Sequence, residues 1–115
     1  MTNPIQFDQL LERVSGNREF IIQMLDMFFE SGDERLATLS KAFDNRNYTE
    51  LADQAHKLKG LVGNLSINQA MPVLKELTES AQQENDLHII KLLAELGRII
   101  AEARIYYREH PTLTP

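Results

Sequence analysis

At 115 residues the chain predicts a single domain over residues 1–115, with no room for a second core. Hydrophobic residues, at 43%, suffice for a core without disulfide or metal support, and the absence of cysteine excludes a disulfide scaffold, a thiolate metal site and thiol catalysis. The 12 Lys and Arg against 17 Asp and Glu leave a formal net charge of -5, which argues against nucleic acid or an anionic membrane as partner.

Residues Met1 to Phe7 carry neither a basic nor an apolar leader segment, so no signal peptide is read there. Phe20 to Phe29, the densest apolar stretch, is interrupted by Gln23 and Asp26 and is too short to span a bilayer. The expectation is a soluble cytoplasmic protein, and Met1 with a polar tail leans toward a free-standing one.

Helical periodicity dominates the chain and strand alternation is nowhere convincing. A short leading helix is expected over Pro4–Val14, with Asn3-Pro4 as cap and first position and Ser15-Gly16-Asn17 as its end. Asn17 can cap a second helix running to Asp44. Its stripe, Ile21, Leu25, Phe28, Leu36, Leu39 and Phe43, recurs at three- and four-residue steps, over roughly 40 Å at 1.5 Å per residue. After the break at Asp44 to Asn47, Asn47-Tyr48-Thr49-Glu50 resembles a capping box opening a third helix to Asn64.

Ser66-Ile67-Asn68-Gln69 reads as a second capping box, with a fourth helix to Gln83 and a kink or ragged start at Pro72. Glu84-Asn85-Asp86 is the last turn. The fifth helix carries Ile89, Leu93, Leu96, Ile100, Ala103 and Tyr107, and His110 to Pro115 form a polar tail. Short connections between long amphipathic helices imply antiparallel neighbours. The fold class is therefore all-α, an up-down four-helix bundle with the short N-terminal helix across one end.

The chemistry concentrates in Ala55-His56-Lys57-Leu58-Lys59-Gly60-Leu61-Val62-Gly63-Asn64. At about 100° per residue, Leu51, Ala55, Leu58, Val62 and Leu65 share one core-facing sector. Ala52, His56, Lys59, Gly60 and Gly63 fall in a second sector, so His56 points to solvent one turn from a lysine. A glycine in a helix interior costs about 1 kcal/mol relative to alanine. Gly60 and Gly63 on the imidazole's face therefore suggest steric clearance for something that approaches the ring, with Gly63 also near the helix end. Lys59 puts a positive charge where an anion on the imidazole would sit. The same pattern also fits an ordinary surface pair with glycines that arose by drift.

His56-Lys57-Leu58-Lys59-Gly60, with Gly63-Asn64 downstream, resembles the signature of histidine-containing phosphotransfer (HPt) domains. The similarity extends to Leu10-Leu11-Glu12-Arg13-Val14 with the Gly16-Asn17 break, to Phe28-Phe29 before Asp33-Glu34-Arg35-Leu36, and to Leu74, Leu77 and the Asn85-Asp86 turn. It covers about Phe7 to Tyr107.

The resemblance implies a phosphorelay protein that carries a phosphoryl group between aspartates of response-regulator receiver domains, with a hybrid sensor histidine kinase upstream. His56 would be the phosphorylated nucleophile, Lys59 would stabilise the phosphoryl charge, and Gly60 would leave the ring accessible. Ser31, Gly32 and Arg35, by analogy with how the family packs, and Lys57 are the candidate partner-docking residues. No cofactor is implied in this chain, because the receiver domain supplies Mg²⁺. Leu61-Val62 after the Lys-Gly pair, where Ser or Ala is frequent, and Lys57 after the histidine depart from the family pattern in ways that tune partner choice.

An imidazole titrates at a reference value of about 6.5, so its neutral, nucleophilic form is available at neutral pH. No glycine-rich phosphate loop is present, so no ATP site and no autonomous kinase activity are expected. His88 and His110 stand at no metal-ligand spacing from His56, and no metal is expected. Tyr106 and Tyr107 are read as packing residues. Two alternatives remain: a helical adaptor that binds receiver domains without accepting phosphate, and the dimerisation domain of a histidine kinase. The second builds its bundle only as a dimer, whereas one chain here supplies four long helices and is expected to be a monomer.

Overall fold

The computed structural model describes residues 3–109 and is helical throughout, with no strand among them. Five helices follow one another: α1 (Phe7–Arg13), α2 (Arg18–Asp44), α3 (Tyr48–Asn64), α4 (Ala70–Gln82) and α5 (Asp86–Arg108). Four of them close a ring in which α2 packs on α3, α3 on α4, α4 on α5 and α5 back on α2. The expected antiparallel bundle is therefore present, in a body of 45 × 23 × 21 Å.

Asparagines open three of the helices, Asn17 and Asn47 as expected and Asn85 where only a turn was read, and each works the same way. The side chains of Asn17, Asn47 and Asn85 accept from the backbone N–H of Phe20, Glu50 and His88, satisfying a donor that the helix itself leaves unpaired. Asn85→Ala is expected to cost about 1 kcal/mol, read as a lower urea midpoint with an unchanged slope.

The chain reverses between helices through left-handed residues: Ser15 (φ 54°) and Gly16 (φ 78°), then Arg46 (φ 52°), Ser66 (φ 57°) and Glu84 (φ 55°). Only the first of these turns uses a glycine, for which the conformation carries no side-chain clash. Arg46 repays its conformation with three contacts. It donates to the Phe43 carbonyl at 2.8 Å, lies 4.3 Å from the centre of the Phe43 ring, and pairs with Asp86 at 3.2 Å. Asp86 also accepts from the Tyr48 hydroxyl at 2.6 Å, which ties the α2–α3 turn to the start of α5. That bond is the main reason the Tyr48 hydroxyl titrates above its ordinary value.

Three expectations are corrected. The leading helix begins at Phe7, because Gln6 rather than Asn3 precedes it and Gln6 turns its own amide onto the Asn3 carbonyl at 2.9 Å. Ser66 does not cap α4. It sits in the left-handed turn with a buried hydroxyl that has no hydrogen-bond partner, and its carbonyl accepts from the Gln6 N–H at 3.0 Å. Ile67, expected inside the helix, is fully buried in the connection. Of the two outcomes expected at Pro72, the ragged start is the one observed. Three-residue bonds from Ala70 to Ile67 and from Met71 to Asn68 lead into the helix. Pro72 then falls in the first turn, where its missing N–H has no partner to lose, and α4 runs unbroken to Gln82.

The core lies along the ring axis and includes Leu25, Phe28, Leu39, Leu51, Ala55, Leu58, Leu74, Leu77, Leu96 and Ile100, each at most 4% exposed. α1 lies across the end where α3 meets α4. Arg13 donates to the Gly63 carbonyl at 2.8 Å, Asn68 donates to Gln9 at 3.0 Å, and the Phe7 ring stacks on Tyr106 at 5.5 Å. Tyr107 stacks on Phe29 at 5.6 Å and donates to Asp26 at 2.8 Å; burial and that bond raise its pKa well above the ordinary tyrosine value. The polar tail expected from His110 onward lies outside the described residues.

Candidate functional site

α3 buries Leu51, Ala55, Leu58 and Val62 and turns its remaining surface outward. His56 and Gly60 are exposed one turn apart on that surface, and Lys59 is half-buried beside them. His56 borders an open depression whose other walls are Tyr48, Ala52 and Asp53 of α3 and Thr78, Ala81 and Gln82 of α4. A Cβ built on Gly60 meets nothing within 4 Å, so the protein's own packing does not require a glycine there. What the glycine provides is bare backbone on the solvent side, one turn beyond the imidazole. Lys57 is held by Asp53 at 3.1 Å, whereas no described carboxylate forms an ion pair with Lys59. Of the two lysines that flank His56 on α3, Lys57 is thus engaged by a carboxylate of its own helix and Lys59 is not.

The two glycines read together in the sequence separate in the structure. Gly63 is half-buried, and a Cβ there would stand 3.3 Å from both the Cε and the Sδ of Met71. Its small size serves the packing of α4 on α3 rather than clearance over the imidazole. Gly60→Ala is accordingly expected to raise stability by about 1 kcal/mol, the helix-propensity difference. Gly63→Ala is expected to gain less, because the end of Met71 must give way by a few tenths of an ångström. Paired urea titrations of the two variants check the difference.

The expected docking residues also divide. Gly32 is buried and faces α5: a Cβ there would lie 3.1 Å from Nη2 of Arg104, which reaches across to donate to the Phe29 carbonyl at 3.0 Å. Gly32 is thus a helix-crossing residue and no part of an outer surface. Ser31 and Arg35 do lie on the outside, joined by a 3.0 Å bond from Arg35 Nε to Ser31 Oγ. They line a groove against Lys57 and Leu58, on the α2-facing flank of α3. His56 lies on the α4-facing flank, so the two sets meet only across the exposed ridge of α3.

The sequence reading missed the apolar part of this surface. Met24, Met27 and Phe28 of α2 meet Leu61 of α3 and Leu65, the residue that follows that helix, in a groove continuous with Ser31 and Arg35. Met27 is 70% exposed, and Phe20, one helical repeat earlier, is 47% exposed. The signal was available: Phe20, Met24 and Met27 stand at four- and three-residue steps beside the main stripe of α2, more apolar width than one buried face needs. Exposed methionines next to a polar site suit an adaptable, exchangeable contact.

Elsewhere, His88 lies 3.5 Å from Glu76 and belongs to the α4–α5 surface. Among the described residues no three His, Asp or Glu side chains converge as metal ligands, and no helix is long and apolar enough to cross a membrane.

The family model for the Hpt domain matches residues 23–104, which takes in α3 and α4 whole and most of α2 and α5. Neither a curated protein nor a solved structure matches the chain significantly. Hpt domains are phosphotransfer intermediates rather than kinases, and they interact with receiver domains. The match covers most of the chain and includes the exposed histidine helix, and on it the chain belongs to the Hpt domain family of phosphorelay proteins.

Proposed function

We propose that His56 accepts a phosphoryl group from the aspartyl phosphate of one receiver domain and returns it to the aspartate of another. The observation that carries this reading is an exposed imidazole one turn from an exposed glycine that the fold itself does not need. The unprotonated ring nitrogen attacks phosphorus in line. A P–N bond forms as the P–O bond to the aspartate breaks, and the carboxylate leaves with the electron pair. The ring is left protonated on its other nitrogen until water takes that proton. The charge on the transferred group stays on its equatorial oxygens, where positioning and neutralisation govern the rate. Lys59 supplies a cation from this side, and the receiver domain supplies Mg²⁺ and its acidic pocket.

The groove of Met24, Met27 and Leu61, with Ser31, Arg35 and Lys57 at its edge, extends the reactive face onto α2 and suits a transient partner. The test is incubation of the chain with a receiver domain charged by acetyl phosphate. A gain of one phosphate in mass, stable in base and labile in acid, supports the relay. Binding without any mass gain supports an adaptor instead.

A further inference from the structure

α5 has a second apolar face. At about 100° per residue, Leu87, Ile90, Ala94, Gly97, Ala101 and Ile105 fall in a sector of about 80°, centred roughly 155° from the buried face. Leu87 is 83% exposed, Ile90 53% and Ile105 54%, and Ala94 and Ala101 are exposed between them. The outer side of a bundle helix is ordinarily polar. Here Lys91, Glu95, Arg98 and Glu102 stand together on one flank, Arg104 on the other turns inward to the Phe29 carbonyl, and Arg108 enters the sector only in the last turn; three to four residues separate successive apolar positions over five turns, the spacing of a helix–helix seam.

The seam is large at its ends and small in its middle. A Cβ on Gly97 would meet nothing within 4 Å, so another helix can approach closely at the centre. The flank carries Lys91, Glu95, Arg98 and Glu102, alternating in sign about a midpoint between residues 96 and 97. Antiparallel pairing of two identical helices brings the same flanks together in opposite directions. Lys91 of one copy then meets Glu102 of the other, and Glu95 meets Arg98. In that register Leu87 and Ile105 of opposite copies fall within one residue of one another at both ends, and Ile90 with Ala101 and Ala94 with Gly97 within two, close enough for Ile90 to lie over the small Ala101. Arg98 already pairs with Glu102 in its own chain at 2.9 Å, so the flank becomes one network of alternating charge across the axis.

From this self-complementarity we infer that the chain forms a two-fold dimer through the outer face of α5, with a second copy of itself as the occupant. The monomer expected from the sequence gives way to this assembly at high concentration. One helix from each copy makes an interface near the lower end of specific ones, so the dissociation constant is expected in the micromolar range. α5 packs on α2 and α4 and lies diagonally across the ring from α3. The dimer therefore leaves both His56 side chains on outer surfaces, open to two receiver domains at once.

Sedimentation equilibrium from low micromolar to near-millimolar chain concentration tests this. The mass is expected to rise from 13.2 kDa toward twice that value. Ile90→Glu, an exposed position whose change leaves the core intact, is expected to weaken association roughly tenfold or more. Lys91→Glu and Glu102→Lys are each expected to weaken it by roughly threefold to tenfold, and the double variant to recover most of the loss. A mass fixed at 13.2 kDa across the range overturns the dimer. Association that Ile90→Glu leaves unchanged places the contact elsewhere, and failure of the double variant to recover overturns the antiparallel pairing. Phosphate acceptance is read separately, and its presence or absence in the wild type bears on His56 alone.

Discussion

His56→Gln is expected to accept no phosphate from a charged receiver domain while unfolding at the wild-type temperature. Glutamine keeps a polar, helix-compatible side chain at an exposed position, where substitutions ordinarily change stability by no more than about 0.5 kcal/mol. It has no nitrogen with a free lone pair of imidazole basicity, so the P–N bond has nothing to form from. The loss is expected to be complete rather than partial, because the histidine is the covalent acceptor and no positioning residue can substitute for it. Mass spectrometry after incubation reads the result directly. Phosphate on the variant would move the acceptor elsewhere, and His88 would be the first position to examine, since it is the other histidine among the described residues. Phosphate on the wild type alone fixes the acceptor as His56.

Most of the architecture was legible because the chain signals helices redundantly. Asn17, Asn47 and Asn85 each stand directly before an amphipathic run, and each is a working cap. The miss at Ser66 has a physical cause. A capping serine needs extended backbone, and the chain must turn back sharply between α3 and α4, which puts Ser66 in the left-handed region and its hydroxyl in the interior. Local spacing carries no information about that turn.

The site divides along the same line. His56 and Gly60 are exposed because of residues on their own helix, so periodicity alone placed them. Gly32 and Gly63 owe their environment to Arg104 and Met71, which belong to other helices, and one helix's pattern could not assign them. The apolar faces of Met27 and of Ile90 were in the sequence all along. They stood beside the stripes read as core and were given no role, because a wheel shows how many residues are apolar, not how much of the helix its neighbours cover.

Leu77→Ala is expected to do the reverse of His56→Gln: weaken the fold and spare the chemistry. Leu77 is 0% exposed on α4, the helix that packs against both α3 and α5. Truncation removes apolar contacts on two sides and leaves a void the surrounding helices fill only in part, at a cost of about 2–5 kcal/mol. Domains of this kind are stable by about 5–15 kcal/mol in total, so the change consumes a large share of the margin. The urea midpoint is expected to fall substantially with little change in slope. The side chain nevertheless points away from the imidazole, whose neighbours on α4 are Thr78, Ala81 and Gln82. At a temperature where the variant remains folded, phosphate acceptance is therefore expected at the wild-type rate, and on warming it should fall in step with the folded fraction measured by circular dichroism. A rate that falls while the helix signal is intact would mean that the packing of α4 sets the position of His56, and that the bundle takes part in the transfer rather than only holding α3 in place.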